Sequence, residues 1–220
     1  MPPVTTFSAI TSFALVAGIL TIIPGMDTAL VLRAAVTRGR RHAFATALGV
    51  NTGALVWGVA ASVGAAAVLT ASHLIYTALQ MAGAAYMLWL GADMLWRSLR
   101  RHDSTTSSDA LDQPGPIPSD DTLVRSWRQG MTTNLLNPKI GVFYMAMLPQ
   151  FIPEDAPHLL MGITLAIVHD LEGLAWFALL IFGTHIVRRW LRQGRVHRVM
   201  DAITGTVLVS FGIKLALADK

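Results

Sequence analysis

Ionisable side chains stand inside otherwise apolar stretches at three places: Asp27 in Ile23-Pro24-Gly25-Met26-Asp27, Lys139 in Leu136-Asn137-Pro138-Lys139, and His169, Asp170 and Glu172 within a run from about His158 to Val187. Charge is expensive in hydrocarbon and marks ligand or ion paths there. The acid and the base each follow a helix breaker. Proline removes one N–H and frees a carbonyl on the preceding turn, and freed backbone at membrane depth survives only against protein or water. Both breaks are therefore expected to face a cavity. The half-helices beginning at Gly25 and after Pro138, near Ile140, would aim N-terminal dipole ends at it, a receptor for a carboxylate.

Each candidate has a plainer reading beside it. Asp27 is either a helix-start carboxylate steadied by the dipole or the partner of a substrate ammonium or a proton. Lys139 is either an internal counter-ion to Asp27 or Glu172 or a direct ligand of a substrate carboxylate. Asp170 and Glu172, two positions apart, lie about 200° apart around a helix. His169, Glu172 and Trp176 share a face at i, i+3 and i+7. Glu172 is thus read as the cavity carboxylate that exchanges a proton, and Asp170 as an interhelical packing residue. His169 and Glu172 also have a spacing found in metal sites, without further ligands.

The elements that would hold these groups follow from composition. With 53% hydrophobic and 14% charged residues and a mean hydropathy of +0.52, the chain reads as an all-α integral membrane protein. Its net charge of +4 lies in short Arg clusters between apolar runs, which are topology signals rather than a nucleic-acid face. Six spans are expected at about 7–37, 43–69, 74–96, 128–152, 158–187 and 199–218, the first and fourth broken near the midplane. Each is long enough for about 30 Å of hydrocarbon at about 1.5 Å per residue. Alternate connections carry 13 Arg against none in the others, which puts the basic loops in the cytoplasm and both termini outside. Gly49 and Gly53 have a small-xxx-small spacing for close packing.

Pro24 and Pro138 lie 114 positions apart, each in the first span of a three-span half. Three is odd, so the second half would be inverted, the plan of many secondary transporters with sites at broken helices. The expected organisation is a first repeat at 1–101, a flexible cytoplasmic linker at 102–123, rich in Ser, Thr, Asp and Pro, and a second repeat at 124–220.

The stretches Ile23 to Leu32, Thr37 to Arg41, Leu48-Gly49, Ala82 to Gly91, Asn134 to Lys139, Leu148 to Phe151, and Ile203-Thr204-Gly205 with Gly212 together resemble the lysine-exporter (LysE/RhtB) family. One departure is visible, Pro24-Gly25-Met26 where the family pattern is Pro-Gly-Pro. The resemblance implies a transporter rather than an enzyme, residing in a bacterial cytoplasmic membrane and expelling amino acids in exchange for protons by alternating access. In that reading Pro24, Gly25, Asp27, Asn137, Pro138 and Lys139 form the substrate site, and Asp27 and Glu172 couple protons. The partners are an amino acid, protons and lipid, with a homo-oligomer left open, no nucleic acid and no cofactor. The alternative is export of a divalent metal ion or another small solute. Absence of cysteine excludes a carrier of reducing equivalents that works through paired thiols.

Overall fold

The computed structural model describes residues 6–71, 73–100, 122–153, 155–184 and 194–217, and within them every regular element is helical. The expected linker at 102–123 lies outside the described residues except for its last two, Thr122 and Leu123, and the basic residues 188–192 lie outside them as well.

The first broken span is α1 (Thr6–Ile22) and α2 (Met26–Thr37), bent by 54° at the intervening residues. The cause is local: Leu20 would receive its helical N–H from residue 24, and Pro24 has none. Gly39, at φ 87°, makes the reversal into α3 (Arg40–Ala71) in a backbone region open mainly to glycine. Next comes α4 (His73–Arg100). In the second half, α5 (Leu123–Leu135) starts at Thr122, whose hydroxyl accepts the Arg125 N–H.

The continuation past Asn137 is not the plain half-helix expected. A short α6 (Pro138–Val142) passes into a π-helical turn, Phe143–Met147, and a 3-10 turn, Leu148–Phe151. The last two described elements are α7 (His158–Phe182) and α8 (Gly194–Ala216).

Glycines set the helix crossings. A Cβ on Gly49 would run into the Trp127 carbonyl, and one on Gly130 into the Thr46 carbonyl, so α3 and α5 touch backbone to backbone. A Cβ on Gly91 would lie 2.8 Å from the Gly205 oxygen and one on Gly205 2.7 Å from the Gly91 oxygen, making the same kind of contact between α4 and α8. Close approach of this sort replaces the hydrophobic effect as the packing force where the surroundings are themselves apolar. One buried cluster joins Phe13, Phe143, Tyr144, Leu148 and Leu165, and another joins Val31, Ala47, Val50, Phe177 and Leu180. Both breaks sit between them.

Among the described residues, two helices are long and apolar enough to cross a bilayer, at Arg40–Gly64 and His158–Phe182, and counting the bent pair α1–α2 as one span gives a third.

Candidate functional site

The two breaks meet. Asp27, in the first turn of α2 and only 8% exposed, accepts hydrogen bonds at Oδ2 from Asn134 Nδ2 and from Asn137 Nδ2, both at 3.0 Å. Asn134 ends α5 and Asn137 opens α6, so the acid of the first half is held by the breaker segment of the second. Asn137 serves twice, since its Oδ1 also accepts the Lys139 N–H at 3.1 Å and caps α6.

The first break has no such cap. Gly25 precedes α2 in extended conformation with no side chain on the free N–H groups of that helix, which leaves them for water or an anionic ligand. Asp27 Oδ1 is buried with no donor. A carboxylate oxygen left bare at depth is costly, and it is the kind of group that a cation, an ammonium or a proton completes.

Lys139 has partners that the sequence did not suggest. Its Nζ donates to the backbone carbonyls of Leu20, at 3.2 Å, and Ile23, at 3.4 Å, at the end of α1. It is also within electrostatic reach of Asp27 and His169.

A cavity of about 50 Å³ lies among these groups, lined by Thr21, Gly25, Asp27, Asn134, Asn137 and Lys139 from the breaks and by Asn51, His169, Asp170 and Gly173 from α3 and α7. A single water needs about 10–15 Å³ on this scale, so the space takes a few water-sized groups. Asn51 packs beside Gly173, and its Nδ2 donates to the Asp170 carbonyl at 2.6 Å. His169 is fixed from the other side, its Nδ1 sharing a 2.9 Å hydrogen bond with the hydroxyl of Tyr144 in the π turn. Insertions of this type recur at functional sites because they re-aim one side chain without ending the helix.

One facing assignment is corrected. Asp170, not Glu172, is the α7 carboxylate that lines the cavity. Glu172 turns to the seam with α1, where a Cβ on Gly18 would lie 3.6 Å from its Oε1 and where its Oε2 is buried without a donor. The shared face of His169 and Glu172 is broad enough to straddle the cavity wall, with His169 lining the cavity and Glu172 beside Gly18 of α1. Asn51 and Asn134 were not singled out in the sequence. Polar amides in apolar helices, with Asn134 and Asn137 three apart, were the available signal.

Broken helices enclosing a buried acid, in a chain of long apolar helices, define a membrane protein with an internal polar site. Residues 18–219 match the family described as LysE type translocator, and the chain belongs to that family, whose members are transporters and not enzymes. Similar proteins include an uncharacterized membrane protein, YrhP, of Bacillus subtilis, 31% identical over 92% of this chain and 96% of that one. They also include the threonine efflux protein of Escherichia coli K12, 28% identical over 89% and 91%, and the leucine efflux protein of Enterobacter sp. strain 638, 29% identical over 90% of each. No solved structure matches the chain.

Proposed function

We propose that this protein is a six-span secondary exporter of amino acids, exchanging them for protons by alternating access across a bacterial cytoplasmic membrane. Its halves, residues 1–101 and 124–220, would be inverted repeats joined by a cytoplasmic linker, with both termini outside. The observation that carries the reading is the bare Oδ1 of Asp27 in a cavity between two broken helices. Relatives named as threonine and leucine efflux proteins support an amino acid as cargo. The repeat draws support from a coincidence of spacing: Gly91 and Gly205, which meet reciprocally where α4 crosses α8, are 114 positions apart, as Pro24 and Pro138 are.

In this mechanism the uncapped start of α2 at Gly25 takes the α-carboxylate and Asp27 takes the ammonium. Pro24 and Pro138 keep the backbone open, and Asn137 holds Asp27 in place. A proton entering from outside converts Asp27 to the neutral acid, its hold on the ammonium fails, and the solute leaves outward. Loss of that proton to the cytoplasm restores the carboxylate for the next solute. Glu172, bare at the α1–α7 seam, is the second proton-carrying group, and Asp170 is the carboxylate facing the solute. Movement needs room, and an apolar space of about 300 Å³ behind Asn137 and Pro138, lined by Trp57, Tyr86, Leu136, Gly141 and Met145, provides it for the second break. Export of a divalent metal ion gains no support here, since no three His, Asp or Glu side chains among the described residues stand together as a metal site.

Proteoliposome counterflow with a panel of amino acids, with and without a pH gradient, tests the proposal. Wild type is expected to exchange neutral amino acids and to be driven by an inward proton gradient. Glu172→Gln should keep exchange while losing the drive, and Asp27→Asn should lose at least about 100-fold in both, the scale of removing a charged contact of about 3 kcal/mol. Absence of exchange for every amino acid tried, or full proton-driven export by either variant, overturns it.

A further inference from the structure

The end of α1 gathers oxygen atoms around the cavity. Its last carbonyls carry the negative end of the helix dipole, and Leu20 lacks its helical donor because residue 24 is proline. In broken-helix transporters, half-helix C-terminal carbonyls of this kind coordinate coupling cations. Two side-chain oxygens border the same cavity, Thr21 Oγ1 and Asp27 Oδ1, both buried without a donor. Asp27 is more than nine-tenths buried. Oxygen atoms alone, from carbonyl, hydroxyl and carboxylate, are the ligand set of a hard cation.

Lys139 reaches this end of α1 from the opposite break and sets its ammonium 3.2 Å from the Leu20 oxygen and 3.4 Å from the Ile23 oxygen. We infer that the Lys139 ammonium, held by the Leu20 and Ile23 carbonyls, is a tethered cation in place of an alkali-metal ion, so that the native protein needs no sodium and a protein without this ammonium binds sodium or lithium at these carbonyls and draws in the bare Thr21 and Asp27 oxygens that border the same cavity. The tether replaces the N–H that Pro24 cannot supply and delivers it from the other half of the molecule. Because the ammonium is covalently attached, it is present in every state at no cost in ion concentration.

The inference concerns the ion site and not the cargo, so thermal unfolding of the purified full chain in detergent, in sodium, lithium, potassium or choline chloride at equal ionic strength, tests it apart from any transport result. Wild type is expected to unfold at the same temperature in all four salts. Lys139→Met should unfold roughly 5 °C lower in choline, a shift of the size expected for losing one charged contact in a chain of this length, and should recover saturably with sodium or lithium. Lys139→Arg, which retains a cation, should show no sodium response. Pro24→Ala combined with Lys139→Met should respond less than Lys139→Met alone, because Leu20 regains a backbone donor. If Lys139→Met can be recovered folded only from sodium-containing buffer, the inference stands. If it fails in every salt, or folds and ignores all alkali ions, or if wild type itself is stabilised saturably by sodium, the inference is overturned.

Discussion

At the second break the chain satisfies its own backbone: Asn137 caps α6 through the Lys139 N–H, and the α5 carbonyls of Thr132 and Asn134 accept the N–H groups of Leu136 and Asn137. At the first break, 114 positions earlier by the prolines, nothing local does this work. Gly25 has no side chain to cap α2, and the carbonyls of Leu20 and Ile23 are met by Lys139 from the other break. The amides of Asn134 and Asn137 cross in the same direction, onto Asp27. The second break is thus the donor and the first the dependent acceptor. Two segments that look alike as helix breakers differ in where their missing hydrogen bonds come from, and the segment that borrows is the one left with a bare acid and a free helix start.

The largest way to break this asymmetry is to remove the residue that serves both breaks. Asn137→Ala takes away the α6 cap, about 1 kcal/mol, and a hydrogen bond to a charged acceptor, about 1.5–3 kcal/mol. A total loss of about 3 kcal/mol is expected in chemical denaturation, with Asp27 released and amino-acid exchange lost together. Asn134→Ala removes only the bond to Asp27, so about 2 kcal/mol is expected, with α6 intact. Equal losses for the two variants would mean that the Asn137 cap contributes nothing and that the second break is not self-sufficient.

How much of this could be read in the sequence depends on the kind of question. The breaks were visible because proline and glycine act through local sterics that need no tertiary context. Asp27 and Lys139 were visible because charge in an apolar run is rare. Their partners were not. Helical periodicity put Asp170 and Glu172 on different sides of α7, but which side meets the cavity is set by tertiary packing, such as that of Glu172 beside Gly18 on α1, a contact between segments more than 150 residues apart. The Leu20 and Ile23 carbonyls that Lys139 meets were not visible either, because a sequence shows the charges that need partners and not the carbonyls that need donors. Gly49 was read correctly as packing, and the structure adds that its counterpart is Gly130 on α5, with carbonyls of each helix filling the place of a side chain on the other.

The smallest expected effect is also the sharpest comparison, because it gives the first break what the second already has. A Cβ at Gly25 would meet no atom within 4 Å, and Gly25 is not in the left-handed region, with φ at −128°. A serine therefore fits there without strain. Its hydroxyl would accept one of the free N–H groups at the start of α2, as Asn137 Oδ1 does for α6, and serine in place of glycine at such a position is worth a few tenths of a kcal/mol. Stability should rise by about 0.3 kcal/mol, while the N–H groups proposed to receive the α-carboxylate become occupied. Affinity in counterflow should fall several-fold, with exchange at saturating substrate much less affected. If Gly25→Ser stabilises the protein and leaves affinity unchanged, the open start of α2 is not the carboxylate receptor, and the difference between the two breaks belongs to folding alone.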